Sequence, residues 1–403
     1  MKGHPGSRAQ LTSLGVALGL VASSLVAGGA VTVAQSPSGG AMDYNHTYDR
    51  EGTVADLVDI TPFCGTAPIK VGMNDGFGGN SWRKITRAEA EAEAAKCPNI
   101  TFTYTDGQGD AQKTISDLQG LVNQDYKVII GFADDAQAMA PAYADAVAAG
   151  VSIVPYIAPP SGATPQNGGV TDFVREDGVA YGQALADWTI KAMGETGNLV
   201  FLGGQPGNGY SQFVYDQVKA EAAKYPNVHL LNLDPGIGDT FVVTNWEPGK
   251  TQEVVAGLLT QYPSIDGIVS DYGGGSVGGI RAFQAAGKLI PPWSANDSNE
   301  FACDWVNRDP KETKYQIGTV SSRNWISRVA LRRALADYNG IQNPEPQIIK
   351  LGLSEDSTSS DPALAPKCDK SLPPDAILSS QLTTDQLKTL FGAAAGASPS
   401  VAP

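Results

Sequence analysis

Apolar residues in this chain gather in short runs separated by loops rich in Gly, Asn and Asp, and the runs alternate with stretches of helical period. Runs at 69–73, 100–104, 128–132, 151–157, 199–202, 228–233, 267–270 and 315–320 predict buried strands. Between them, Ile115, Leu118, Leu121 and Val122 line one helical face after a capping residue at Asp110, and Val254, Val255, Leu258 and Leu259 do the same further on. Gly150 and Gly287 read as helix stops, each after Ala-Ala. The segment Glu93-Ala94-Ala95-Lys96-Cys97-Pro98-Asn99-Ile100 recurs as Glu221-Ala222-Ala223-Lys224-Tyr225-Pro226-Asn227-Val228, with the same strand and helix order around it. A repeated α/β pattern of this kind predicts two similar doubly wound lobes with parallel sheets and a ligand cleft between them.

The two ends differ from this pattern. Residues 9–42 carry no charge and follow Lys2, His4 and Arg8, which reads as an export signal that is cleaved or retained as an anchor. Residues 43–67 form a polar lead-in and residues from 353 onward a polar tail, and neither reads as core. The chain of 403 residues carries 28 basic against 42 acidic side chains, a net charge of −14 that disfavours nucleic acid as a partner. In an exported chain four cysteines favour disulfides over free thiols, and four allow three connectivities. Cys64 and Cys97 bracket the first strand and helix, so the expected pairs are Cys64 with Cys97 and Cys303 with Cys368. The only histidines are His4, His46 and His229, and no cluster has metal-ligand spacing, so neither metal nor cofactor is expected.

Parallel sheets gather ligands beyond the C-terminal ends of their strands. The loops expected there are 74–82, 105–110, 132–136, 156–161, 203–212, 234–247, 270–276 and 294–299. Trp82, Trp246 and Trp293 lie in or beside them, among many Tyr, Asn and Asp residues, whereas Trp188, Trp305 and Trp325 sit at helical spacings and are expected in the core. Aromatic rings that stack on C–H faces, with carboxylates and amides that pair with hydroxyls, suit a neutral polyhydroxylated ligand.

Catalytic motifs fare poorly. Gly274-Gly275-Ser276-Val277-Gly278 has the form of a nucleophile elbow, but the last histidine, His229, precedes Ser276, the reverse of the order such an elbow needs. Gly273 to Gly278 also fits GxGxxG, yet in a late βα unit of an exported chain. Gly249-Lys250-Thr251 ends like a phosphate loop but has Thr244 in place of its first glycine. Asp75, Asp271 and Asp297 are candidates for a glycosidase pair, and single hydroxyl-accepting aspartates are the preferred reading.

From about Ile69 to Leu353 the chain resembles the ribose-type family of periplasmic sugar-binding proteins, whose members have the type I periplasmic binding fold and deliver ligand to ABC importers. The residues that carry the resemblance are Ile69-Lys70-Val71-Gly72-Met73-Asn74-Asp75-Gly76, the turn Gly79-Asn80-Ser81-Trp82-Arg83, Gly107 to Lys113, Ala133 to Ala138, and the strand, Gly-rich turn and helix of Asp266 to Gly287. Two departures from the family pattern, Ile157-Ala158 in place of Asp-Arg and Gln212 in place of an arginine, turn the expectation from ribose toward another sugar or small polar molecule.

The resemblance implies stacking by Trp82 and Trp246 and hydroxyl pairing by Asn74, Asp75, Asp271, Asn296 and Asp297. Arg83 has a match in some members, and Tyr156, Asn208 and Tyr210 stand where the departing residues were. Asp135 lies in the matched third loop, where it also reads as a helix cap. The implied organisation is residues 1–42 as signal or anchor, 43–67 as lead-in, 68–175 plus 322–345 as the first lobe, 176–321 plus 346–355 as the second, and 356–403 as an extension. Three interlobe crossings, near 174–177, 320–323 and 344–348, would act as the hinge of a monomer that binds a sugar, presents it to an ABC permease and performs no chemistry. Two alternatives are an exported enzyme acting on glycosides and a sugar-sensing receptor component.

Overall fold

The structure is a computed structural model and describes residues 50–391. The expected export segment and the final residues of the tail lie outside the described residues. In chain order the elements are β1 (Glu51–Gly52), β2 (Ile69–Asp75), α1 (Ser81–Ala94), β3 (Ile100–Asp106), α2 (Ala111–Asn123), β4 (Val128–Phe132), α3 (Ala136–Ala148), β5 (Ser152–Pro155), β6 (Arg175–Glu176), α4 (Gly178–Ala192), β7 (Gly197–Gly203) and α5 (Gly209–Ala222). There follow β8 (Val228–Leu230), β9 (Val242–Val243), α6 (Pro248–Gln261), β10 (Gly267–Ser270), α7 (Gly273–Ala285), β11 (Trp293–Asn296), α8 (Asn299–Val306), β12 (Ile317–Val320), α9 (Ile326–Asn339), β13 (Ile348–Ile349), β14 (Leu353–Asp356) and α10 (Thr384–Phe391).

Two main sheets result. The first is parallel, in the order β3-β2-β4-β5, and the second runs β14-β12-β11-β10-β7-β8, with β9 beside β7 and only β14 antiparallel. Strands β4, β5 and β10 are buried along their whole length, as expected of a sheet covered on both faces by crossover helices. A third, small parallel sheet, β1-β13-β6, joins the lead-in to the first and third passages between the lobes. The chain also passes from β12 in the second sheet to α9, which packs on β4, β5 and α1 of the first lobe. Helix α9 is fastened there by buried ion pairs of Arg328 with Glu93 at 2.9 Å and of Arg332 with Glu93 and Glu345, each at 2.7 Å. Asp110 caps α2 by accepting the Lys113 N–H, and Gly150 and Gly287 follow α3 and α7 at φ of 76° and 62°, where a side chain would be strained.

Several expectations need correction. Strand 151–157 is shorter, because Ile157 adopts a left-handed φ of 63° and turns the chain toward β6. The run 228–233 ends as a strand at Leu230 and continues as a single 3-10 turn. Residues 294–296, expected as the start of a loop, belong with Trp293 to the buried strand β11, so Trp293 is part of the core, where its indole N–H bonds the Ser276 hydroxyl at 3.1 Å and its ring meets Phe283 edge-on. The lead-in and tail do supply core: Ile60, Phe63, Leu372, Ala376, Ile377, Leu382 and Leu387 are buried. Both disulfides, Cys64–Cys97 and Cys303–Cys368, are formed and fasten these segments to the lobes. Trp188 and Trp325 are buried, and Trp305 is partly buried against the second lobe's cluster.

Candidate functional site

Asn80 caps α1 by accepting the Arg83 N–H at 3.0 Å, and the cap sets Trp82 and Arg83 on the first turn, beyond the C-terminal end of β2. The Trp82 indole N–H donates to the Ser322 carbonyl at 2.7 Å, and its ring stands edge-on to Phe132, whose centroid is 6.0 Å away. The Arg83 guanidinium lies 3.9 Å from the Phe132 ring centre and bridges Asp75 at 3.0 Å and Asp134 at 2.6 Å. Burial works against this guanidinium, but the carboxylates of Asp134 and Asp75 hold its pKa above the ordinary value.

The second lobe supplies the facing wall. Trp246 sits at a left-handed φ of 56° and donates its indole N–H to Asp271 Oδ1 at 3.0 Å, while the Ser211 hydroxyl donates to Asp271 Oδ2 at 2.5 Å. Gly204 lies directly beneath: a Cβ there would fall 2.0 Å from the indole of Trp246. Phe77 of the first lobe meets the Trp246 ring at a centroid distance of 6.0 Å, and Trp246 and Tyr272 join the first lobe's apolar cluster. The Asn296 side-chain oxygen accepts the Gly273 N–H at 2.6 Å, which aligns the end of β11 with the start of α7.

Arg323 enters from the second passage between the lobes at a φ of 47°. Its Nε lies 2.9 Å from Glu176 Oε1, it donates to the Tyr210 hydroxyl, and that hydroxyl donates to Glu176 Oε1 at 2.8 Å. Its ring neighbours Tyr181 and Tyr210 lie 4.8 and 5.3 Å away, and its Nη1 is buried without a partner.

Between these walls lies a narrow cleft of about 40 Å³, so the side chains that line it stand close together. Of the residues expected at a ligand, Trp82, Arg83, Tyr210, Trp246, Asp271 and Asn296 line it. Asn74, Asp75 and Tyr156 lie one layer beneath: Asn74 bonds Thr105 and the Thr114 carbonyl, Asp75 serves Arg83, and Tyr156 packs on Phe132. Asp135 and Asn208 cap α3 and α5 and border a larger polar recess nearby. Asp297 is bound by Ser322 and Ser379 and does not line the cavity. Asn80, Phe132 and Tyr272, which also line it, fall within loops expected at the cleft but were not singled out. Arg323 fell outside every such loop, although its place just past the C-terminal end of β12 is itself the signal for a ligand position.

Electrostatics disfavour an anionic ligand. Two guanidiniums are matched by Asp75, Asp134, Glu176 and Asp271, and no positive charge is in surplus. Burial pushes the Asp271 carboxyl up to about 6, against the pull of its bonds from Ser211 and Trp246, and pushes Asp134 up to about 7 and Asp75 upward as well. Among the described residues no group of acidic, His or Cys side chains has the form of a metal site.

The sequence profile of the periplasmic binding protein domain family matches residues 73–333, well over half of the chain. The chain belongs to this family. As a periplasmic binding protein it has an extracytoplasmic place of work, and its fold agrees with solved members. The crystal structure of a Caulobacter myo-inositol binding protein bound to myo-inositol is 24% identical, with a TM-score of 0.61 over 74% of this chain and 95% of that one. A periplasmic solute binding protein of an ABC transporter from Actinobacillus succinogenes, with bound D-allose, is 21% identical, with a TM-score of 0.59 over 71% of this chain and 96% of that one. A xylitol-binding protein of Mycolicibacterium smegmatis is 26% identical over 228 residues, which make up 56% of this chain and 62% of that relative's length.

Proposed function

We propose that this periplasmic binding protein captures a neutral sugar or polyol between its lobes and presents it unaltered to an ABC importer. The observation that carries this reading is the cavity itself: two indoles, Trp82 and Trp246, wall a space whose polar edge is Asp271, Asn296 and Arg323, with no surplus positive charge. Indole faces take up the C–H surfaces of a sugar, and hydroxyls that pair with the edge avoid the cost of stranded polar groups. The relatives named for xylitol and solved with myo-inositol or D-allose point the same way.

Capture requires the lobes to part and close about the β1-β13-β6 sheet and the 321–325 passage, and ligand shifts the balance toward the closed arrangement. The Phe77 and Trp246 rings, one from each lobe, would separate on opening. Hydrolytic chemistry is disfavoured by the acids available. Asp75 is committed to Arg83, both Asp271 oxygens are occupied, and Asp297 lies outside the cavity, so no free acid and base flank a glycosidic bond. The assignment of Trp82, Arg83, Tyr210, Trp246, Asp271 and Asn296 to the ligand and the lobe ranges 68–175 plus 322–345 and 176–321 plus 346–355 belong to the same reading, as do export through residues 9–42 and action as a monomer.

Isothermal titration and thermal shift with xylitol, myo-inositol and D-allose test the proposal. The expected result is saturable one-to-one binding to at least one of them, a raised melting temperature and recovery of the sugar unchanged. No binding to any neutral sugar or polyol, or turnover of a sugar conjugate, overturns it.

A further inference from the structure

Beyond β14 the chain stays with the second lobe for some distance. Cys368 is bonded to Cys303 in α8. The Asn299 side chain at the head of α8 accepts the Asp369 N–H and donates to the carbonyls of Asp369 at 2.9 Å and Pro373 at 3.1 Å. Leu372, Ala376 and Ile377 are buried, and their side chains already join the first lobe's apolar cluster. Ser379 then meets Asp297: its N–H donates to Oδ2 at 3.0 Å and its hydroxyl to Oδ1 at 2.7 Å. Two residues later the Gln381 N–H donates to the Glu89 carboxylate of α1 at 2.5 Å, and Leu382 and Leu387 are buried in the first lobe's cluster. Within this short span the tail is bound to both lobes.

It is also bound at the passage that carries the ligand wall. The Oδ1 of Asp297 also accepts the Ser322 N–H at 2.6 Å, the Ser322 hydroxyl donates to the Asp297 carbonyl at 2.6 Å, and the Ser322 carbonyl takes the indole N–H of Trp82 at 2.7 Å. Asp297 is 5% exposed. A carboxylate at that depth needs its donors, and two of the three that reach it come from the tail.

We propose that residues 368–391 form a fourth connection between the lobes, a strap riveted to the second lobe by Cys303–Cys368 and docked on the first by α10. Asp297 is then a positioning residue that couples the strap through Ser322 to Trp82. Because α10 and Ser379 are both seated while Phe77 touches Trp246, the strap favours the closed arrangement. Loss of the Ser379 hydroxyl removes one of the two donors on Asp297 Oδ1, and the route back to water for that oxygen is to loosen the 321–322 passage. The effect on ligand rests on the solute-binding reading; the effect on lobe opening does not.

The test uses the full chain with spin labels at the exposed positions Asn123→Cys in the first lobe and Ala256→Cys in the second. Pulsed electron resonance reads the interlobe distance without ligand, and xylitol, myo-inositol and D-allose serve as probes. Leu387→Asp, which unseats α10, is expected to spread the ligand-free distances toward longer values and to speed probe release. Ser379→Ala is expected to weaken probe binding about tenfold, the size of a lost hydrogen bond to a charged group, with the melting temperature little changed. Ser379→Thr, which keeps the hydroxyl, should restore it. If circular dichroism shows Leu387→Asp to be unfolded, the distances of Ser379→Ala decide alone. Wild-type distances in the folded variants overturn the strap whether or not a probe binds. Shifted distances with no binding to any form leave the strap standing and overturn the solute-binding reading instead.

Discussion

Trp246 and Asp271 hold one another at the ligand wall: the indole N–H donates to a carboxylate oxygen 3.0 Å away, and the other oxygen is taken by Ser211. The pair fixes the ring plane. Trp246→Ala removes ring and donor together, and titration should show at least a tenfold loss in affinity for any sugar the wild type binds, about 1.4 kcal/mol or more. Unchanged affinity removes Trp246 from the site.

Gly204 underlies the same ring, and a methyl group there would collide with the indole. Gly204→Ala is therefore expected to tilt Trp246 and to weaken ligand binding nearly as much as loss of the ring does, while circular dichroism stays native. An affinity equal to the wild type would mean that the ring position is unimportant.

The Asp271 carboxyl lies at about 6 and that of Asp134 at about 7, both above the ~3.9 of an unfolded chain. Groups raised on folding stabilise fully below the unfolded value, and that contribution is lost as pH rises through about 4 to 7. Asp271→Asn removes one such group. Its melting temperature relative to wild type should therefore climb as pH rises from about 4 to about 6, the range of the Asp271 carboxyl, and level off above it. Melting curves between about pH 4 and pH 8 read this difference, and a constant difference contradicts it.

Arg323 and Glu176 form a buried pair contributed by two different passages between the lobes. Removal of one partner strands the other charge, so Arg323→Met and Glu176→Gln should each cost about 3–5 kcal/mol in denaturant unfolding. The double variant should cost clearly less than the two losses combined. Strict additivity would mean that the pair is not coupled.

The Cys64–Cys97 disulfide ties the lead-in, with buried Ile60 and Phe63, to the end of α1. The Cys64→Ser/Cys97→Ser double variant should lose about 2–4 kcal/mol of stability, measured by denaturant unfolding. A loss confined to a few tenths would mean that the lead-in holds its place without the bond.

The repeated α/β order, the buried strands at 128–132 and 267–270, the helix caps and the membership in a two-lobed binding fold were all legible in the chain. Each depends on local periodicity or on a few residues close in sequence, such as the Asp110 cap of α2. Tertiary structure alone decided the rest, because the partners lie far apart in sequence. Strand β11 is four residues long and reads as a loop until β10 and β12 flank it. The tail is polar in composition, yet the Cys303–Cys368 bond and the Asn299 amide hold enough of it down to bury Leu372 and Ile377. Asp297 has the residue type and position of a ligand contact, but its oxygens go to Ser322 and Ser379. Arg323 carries no motif; it reaches the cavity because two passages cross where Glu176 and Tyr210 receive it. Sequence pattern sets which faces must be buried, whereas the choice among distant polar partners is made only when the folded chain brings them within bonding distance.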